Sequence, residues 1–160
     1  MNTISPEWIM ILLLLLFVIP FIFYLVTLQN TLAAMAIESR TMSPGQVWLL
    51  FVPLFNIVWQ FILISRMADS IKNECLRLNI PVGEERPAFS LGLTMTLLYL
   101  GSLVLNQGSM FPLLGSVTSL AAIICWVVYW VKINRYKNLI IANQDNFLLD
   151  IEREAIQNEG

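Results

Sequence analysis

Four apolar runs that contain no charged side chain constrain this chain more than any other feature of its sequence. The runs cover residues 8–28, 47–65, 90–105 and 113–131. A helix needs about 20 consecutive apolar residues to cross the hydrocarbon core of a bilayer, which is about 30 Å thick. A soluble bundle would instead show a polar face on each helix. The runs therefore predict an all-α, integral membrane four-helix bundle that forms a single domain over residues 1–160.

The composition agrees with a membrane protein and argues against several kinds of chemistry. Hydrophobic residues make up 58% of the chain and charged residues 12%, against about 45–50% and 25% in soluble domains. The net charge of −2 offers no basic surface to nucleic acid. The absence of histidine removes the usual general base and the commonest zinc and haem ligand. We therefore expect no enzymatic activity, no cofactor, no bound metal and no nucleic-acid partner.

Lysine and arginine residues predict the orientation, because cytoplasmic segments are enriched in them. With four spans, the N-terminus, the 66–89 segment and the C-terminal tail share one side of the membrane. That side holds Arg66, Lys72, Arg77, Arg86, Lys132, Arg135, Lys137 and Arg153. The other side holds Arg40, within the 29–46 loop. This distribution predicts a multi-pass protein of a plasma membrane with both termini in the cytoplasm.

An alternative interpretation treats the first run as a cleaved signal peptide that ends near Ala34 and Ala36. A signal peptide carries basic residues before an apolar region of 7–15 residues. The residues before this run contain Glu7 and no lysine or arginine. The run also exceeds that length, so the sequence favours a membrane span.

Two amphipathic helices are predicted on the cytoplasmic side, after the second and fourth runs. The first covers residues 66–80 and is expected to end near Leu78, because Pro81 and Gly83 follow. The second covers residues 132–160 and is acidic from Asp145 onward. Their apolar stripes, which we expect to face a partner, consist of Met67, Ile71, Cys75, Leu78, Tyr136, Ile140, Phe147 and Ile151. The 66–80 helix is the nearest partner for the C-terminal stripe, and a solvated, frayed tail is the alternative.

The second run contains the most specific motif of the chain, MSPGQVWLL at 42–50 followed by PLFNIVWQF at 53–61. With ADSIKNE at 68–74 and VYWVKI at 128–133, it resembles an uncharacterised family of small bacterial multi-span inner-membrane proteins. The resemblance covers the second span well, the fourth weakly, and the first and third hardly at all. It implies a location in the bacterial inner membrane and adds no substrate or cofactor.

Within that motif, a proline and two amides are the residues with physical consequences. Pro53 lacks an N–H group and is predicted to kink the helix in mid-membrane. Asn56 and Gln60 lie one helical turn apart on the same face. Amides in hydrocarbon are costly unless they meet protein or water. They either pair between helices or line a pore or a ligand site.

The third and fourth runs are rich in hydroxyl groups and small side chains. Small residues let membrane helices approach closely, either within one chain or between protomers. The hydroxyl groups that we expect to serve packing or a pore are Thr94, Ser102, Ser116 and Ser119. The predicted helix-packing residues are Gly101, Gly115 and Ala122.

Three functions remain open from the sequence. The first is a non-enzymatic scaffold or accessory subunit of a bacterial inner-membrane complex, with membrane lipids and other subunits as partners. The second is a homo-oligomeric pore or membrane-perturbing effector, in which Asn56 and Gln60 line the path. The third is a membrane sensor that binds a lipid or a metabolite at the Pro53 kink.

Overall fold

The computed structural model describes residues 5–107 and 112–158, and these ranges are helical throughout apart from short connections. The α-helices are α1 (Pro6–Ala34), α2 (Phe55–Arg77), α3 (Phe89–Gln107) and α4 (Pro112–Asn158). Two 3-10 helices, Ile37–Ser39 and Pro44–Phe51, lie between α1 and α2. Three segments are long and apolar enough to cross a membrane: Glu7–Ala34, Phe89–Gln107 and Leu113–Leu149. The all-α class is confirmed for the described residues, and the three segments found there are consistent with a membrane protein. The predicted 47–65 span is not among the three.

The second predicted span is broken in two. The Pro44–Phe51 3-10 helix ends at Val52, and α2 begins only at Phe55. Proline disfavours helical geometry at the residue before it, and Val52 is extended, with φ −78° and ψ 113°. Leu54 then has φ 64° and ψ −42°. Pro53 therefore separates two helices and does not kink one continuous helix, which corrects the prediction.

The two helices around this break form a hairpin over residues 44–77, which we call the broken hairpin. The Trp59 indole N–H donates to the Gln46 carbonyl at 2.9 Å, so the two arms run side by side. Farther from the break, the Thr41 N–H donates to Ser70 Oγ at 2.9 Å. Both ends of the hairpin therefore lie at one end of the molecule, and its 52–54 turn points toward the other.

The sequence prediction put the 29–46 loop and the 66–89 segment on opposite sides of the membrane, whereas the structure brings the loop into contact with α2. The Ala36 N–H donates to Glu74 Oε2 at 3.2 Å, and Asn73 Nδ2 donates to the Ser39 carbonyl at 3.3 Å. The loop after α1 is thus attached along the second half of α2. The apolar pattern over 47–65 is the same for a helix that crosses the membrane and for a hairpin that folds back on itself. The sequence pattern therefore does not distinguish the two.

The remaining helices pack around the broken hairpin. α1 and α4 are parallel, because Trp130 Nε1 donates to Thr27 Oγ1 at 2.8 Å and Gln144 Nε2 donates to the Ala34 carbonyl at 2.7 Å. α3 and α4 are antiparallel, and Asn106 Nδ2 donates to Ser119 Oγ at 3.1 Å near the distal ends of both. The C-terminus of α1, the second half of α2 and the second half of α4 therefore share one end, which we call the basic end.

The buried core of the molecule lies toward this basic end. Its fully buried side chains include Leu25, Leu28, Leu32, Leu63, Ile64, Met67, Ile71, Tyr129, Ile133 and Ile140. The first half of α1, at the other end, exposes nearly all its large apolar side chains. Such an exposed surface suits contact with lipid.

The residues predicted to face a partner belong mostly to this core. Buried within the chain are Met67, Ile71, Cys75, Leu78 and Ile140, while Tyr136 and Phe147 pack against them. The side chain of Ile151 lies outside the described residues. The sequence from 116 to 159 contains neither glycine nor proline, so α4 continues past the span and brings its apolar stripe onto α2. These side chains stabilise this chain and do not form a free docking face.

A buried carboxylate ties three segments together at the basic end. Glu74 Oε1 accepts from Arg77 Nη2 at 2.6 Å and from Gln144 Nε2 at 3.1 Å. Burial alone would raise the pKa of Glu74, but the hydrogen bonds from Arg77, Ser39, Gln144 and the Ala36 N–H outweigh it and lower the pKa to about 2. Glu74 is therefore ionised at neutral pH and joins α2, α4 and the loop after α1.

Candidate functional site

A cavity of about 660 Å³ lies between α1, the broken hairpin, α3 and α4. Apolar side chains such as Phe17, Phe21, Leu100 and Ile123 form most of its wall. Its lining residues with side-chain hydroxyl or amide groups are Tyr24, Asn56, Gln60, Thr96, Tyr99, Ser102, Asn106 and Ser119. No described residue of the lining carries a charge. The cavity thus combines an apolar wall with neutral hydrogen-bonding groups.

The broken hairpin accounts for the position of the cavity. Leu50, on the last turn of the 3-10 helix, and Asn56 and Ile57, on the first turn of α2, all line it. Interrupted helices place polar backbone and side-chain groups beside a cavity in many membrane proteins. The Pro53 break therefore brings the amide face of α2 to the space that α1, α3 and α4 enclose.

Aromatic side chains close the cavity toward the basic end. The Tyr24 ring packs edge-on against Trp126, with ring centroids 5.5 Å apart, and against Tyr129 at 6.4 Å. Behind them, Ile64 is 1% exposed and Ile133 is fully buried. The side chains of the core fill the interior beyond this floor, so the cavity ends there and does not continue through the chain.

Two polar groups of the cavity lining lack hydrogen-bond partners among the described residues. The Tyr24 hydroxyl is buried and has no hydrogen-bond partner within the described structure, and the Gln60 side chain lies near it. One helical turn before Gln60, the half-buried Asn56 amide forms no side-chain hydrogen bond with any residue of 5–107 or 112–158. An unsatisfied buried polar group costs about 1–3 kcal/mol. Both groups are therefore suited to bind something that enters the cavity.

The hydroxyl groups of α3 and α4 complement these amides. Thr96 Oγ1 donates to the Gly92 carbonyl at 3.0 Å, and Ser102 Oγ donates to the Tyr99 carbonyl at 2.7 Å. Within α4, Ser119 Oγ donates to the Gly115 carbonyl at 2.9 Å. Each oxygen retains acceptor capacity. The cavity thus offers a hydroxyl and amides on the α1 and α2 side, which can donate or accept, and hydroxyl oxygens with acceptor capacity on the α3 and α4 side.

Asn106 lines the distal part of the cavity, and Gly115 lies against its side chain. Asn106 is bonded to Ser119 across the two helices. A Cβ atom at Gly115 would collide with the Asn106 side chain. Gly115, predicted as a packing residue, therefore leaves room for an amide that lines the cavity.

The sequence-predicted residues divide between the cavity and other places. Those that line the cavity are Asn56, Gln60, Ser102, Ser119 and Ala122. Thr94 is exposed and donates to the Ser90 carbonyl at 2.9 Å, and Ser116 is also exposed outside the lining. A Cβ atom added at Gly101 would lie 4.0 Å from Thr118 Cγ2. Pro53 is exposed in the turn.

Sequence reasoning missed Tyr24, Asn106 and Trp126 as site residues and Gly92 as a packing residue. Tyr24 is the one tyrosine of the first run, and treating it like Asn56, as a polar group in hydrocarbon, would have marked it. A Cβ atom at Gly92 would lie 2.7 Å from Ile64 and 2.9 Å from Tyr129. No local signal singled out Gly92, because this contact joins three separate helices.

Comparison with protein-family models, with curated proteins and with solved structures finds no match to this chain. The family resemblance of the 42–61 motif therefore stays a prediction. Within the described ranges, no group of three or more cysteine, aspartate or glutamate side chains could hold a metal ion.

Proposed function

We propose that this protein is a non-enzymatic binding protein, or sensor, for a small neutral amphiphile in a bacterial inner membrane. The observation that carries the proposal is the buried Tyr24 hydroxyl, which lacks a hydrogen-bond partner in the described structure, together with the Asn56 amide on the lining of the same uncharged, largely apolar cavity. Its volume of about 660 Å³ lies in the range of small-molecule sites, about 300–1,000 Å³. The uncharged lining favours a neutral, hydrogen-bonding head group, and the apolar wall favours a hydrocarbon tail.

The membrane topology we propose has three spans, α1, α3 and α4, with the broken hairpin entering and leaving on one side. All nine lysine and arginine residues then belong to the basic end, because Arg40 joins the eight others there. The positive-inside rule favours a cytoplasmic basic end, with the N-terminus outside and the C-terminus inside. In this orientation the cavity opens toward the outer half of the bilayer.

The direction of the amides favours ligand binding over a pore. A pore between protomers needs Asn56 and Gln60 on an outer surface of the chain. Both line a cavity inside one chain, and that cavity ends at Tyr24 and Trp126. The pore hypothesis therefore has less support than the binding hypothesis.

A titration with monoolein, a neutral amphiphile with a glycerol head group, tests the proposal. In maltoside micelles we expect monoolein to raise the melting temperature of the wild type, since a ligand of the folded state stabilises it. Asn56→Leu removes one hydrogen-bonding group worth about 1–1.5 kcal/mol, so it should weaken binding about tenfold. Thr94→Val is the matched control, because Thr94 lies in a span outside the cavity. Equal stabilisation of all three proteins would contradict a specific site.

A role as an accessory subunit is the second candidate, and one surface favours it. Near its C-terminal end α4 exposes the apolar side chains of Leu148, Leu149 and Ile156. The acidic residues Asp145 and Glu152 lie on the same side of the helix. Such a stripe suits a basic amphipathic segment of another subunit. The native mass of the gently solubilised protein, with each co-purifying chain identified, tests this candidate. A monomer without other chains would exclude stable assembly.

A further inference from the structure

A groove on α4 lies apart from the cavity, near the boundary between the apolar span and the basic end. It has a volume of about 430 Å³ and is lined by Val128, Val131, Lys132, Arg135, Tyr136 and Leu139. These positions recur every three or four residues and therefore form one stripe along the helix. The stripe passes from apolar side chains to two cations and back to an apolar residue.

The groove lies at the expected level of lipid head groups. Residues 113–131 carry no charge, and Lys132 is the first charged residue of α4. Trp126 and Trp130 lie within the two turns before it, and aromatic residues mark membrane–water interfaces. Val128 and Val131 are 48% and 55% exposed, so their side chains are accessible to an acyl chain.

One of the two cations has no counter-ion in the described structure. Lys132 Nζ forms an ion pair with Glu84, which takes one of the three donors of the ammonium group. The exposed Arg135 guanidinium makes no ion pair or hydrogen bond with any described residue. A guanidinium group binds phosphate with two parallel hydrogen bonds. The groove thus presents an unused phosphate-binding group beside an accessible apolar surface.

We propose that this groove binds an anionic phospholipid such as phosphatidylglycerol. Arg135 holds the phosphate, Lys132 supplies a second donor, and one acyl chain lies along Val128 and Val131. Basic pockets beside membrane helices bind anionic head groups in this way. This site is independent of the neutral cavity, which none of its residues lines.

Lipid titration of the full-length, delipidated protein in maltoside micelles tests the proposal. We expect phosphatidylglycerol to stabilise the wild type at lower concentration than phosphatidylcholine does. Arg135→Gln should weaken the phosphatidylglycerol effect about tenfold, as expected for loss of a charge-assisted hydrogen bond. Lys137→Gln is the matched control, because it removes the same charge two residues away and outside the groove.

Three results would overturn the proposed phospholipid site on α4. Equal weakening by Arg135→Gln and Lys137→Gln would show general attraction by the basic end. Equal stabilisation by phosphatidylglycerol and phosphatidylcholine would show that the net negative charge of the lipid is not recognised. Protection of the wild type by inorganic phosphate alone, to the same extent as by the lipid, would show a phosphate site without a lipid.

Discussion

At the scale of single residues, Glu74 shows how a charged group can be accommodated inside this helical chain. The carboxylate is fully buried and accepts hydrogen bonds from the backbone of Ala36 and from the side chains of Arg77 and Gln144. Removing the negative charge of Glu74 would weaken the charge-assisted hydrogen bonds from Arg77, Gln144 and the Ala36 N–H, and hydrogen bonds to charged groups are worth about 1.5–3 kcal/mol each. The stability of the packing at the basic end therefore depends on the ionised form of Glu74.

The substitution Glu74→Gln should lower the free energy of unfolding by about 3 kcal/mol, which corresponds to the lowering of the pKa from 4.5 to about 2. A carboxyl group whose pKa is lower in the folded state stabilises the fold above the pKa of the unfolded state. That contribution should be lost as the pH falls from 4.5 toward 2. Melting curves in micelles across this range check both effects. Glu85→Gln, at an exposed position of the 78–88 loop, is the control and should melt like the wild type at pH 7.

At the scale of elements, the break between the 3-10 helix and α2 requires an unusual backbone conformation at Leu54. The Phe55 N–H donates to the Pro53 carbonyl at 2.7 Å, which makes Leu54 the central residue of a γ-turn. Its φ of 64° is unfavourable for a residue with a Cβ atom and costs about 1–3 kcal/mol. The Leu54 side chain is 86% exposed, so packing within the chain does not compensate for this strain.

Glycine at position 54 should therefore stabilise the protein. We expect Leu54→Gly to raise the free energy of unfolding by about 1 kcal/mol relative to Leu54→Ala, which also removes the exposed side chain but keeps the Cβ atom. Denaturant titration in micelles measures the difference. In a continuous helix the sign is reversed, since glycine there is about 1 kcal/mol worse than alanine. A glycine variant less stable than the alanine variant would therefore contradict the broken hairpin.

The same element shows how far the sequence predicts this structure. Pro53 correctly marked where the helix is interrupted. Asn56 and Gln60 were predicted as site residues because an amide within an apolar run either pairs with another polar group or lines a cavity. Whether the chain crosses or turns back is decided by distant contacts such as Thr41 with Ser70, which no local pattern encodes. For the hydroxyl groups, the rotation of each helix decides which ones face the cavity, so Thr94 was predicted with Ser102 although only Ser102 lines it.

At the scale of the whole molecule, the hairpin changes the predicted distribution of charge across the membrane. A second crossing would place Arg40 on the opposite side from the eight other cations. The attachment of the 36–41 loop to α2 brings Arg40 to the same end. A complete separation of basic residues gives a stronger orientation signal than the four-span arrangement does. The proposed topology therefore differs from the four-span topology at two sites, the N-terminus and the loop after α1.

Single cysteines at these two sites distinguish the topologies. In intact cells we expect a membrane-impermeant maleimide to label Ser5→Cys, which the three-span arrangement puts outside. It should label Ile37→Cys, at an 80% exposed position, only after the membrane is permeabilised. Glu85→Cys is internal in both arrangements and serves as the control, and the wild type measures the background from Cys75 and Cys125. Labelling of Ile37→Cys but not Ser5→Cys in intact cells would restore the four-span topology. It would also be incompatible with the hairpin contacts that position Asn56 in the cavity.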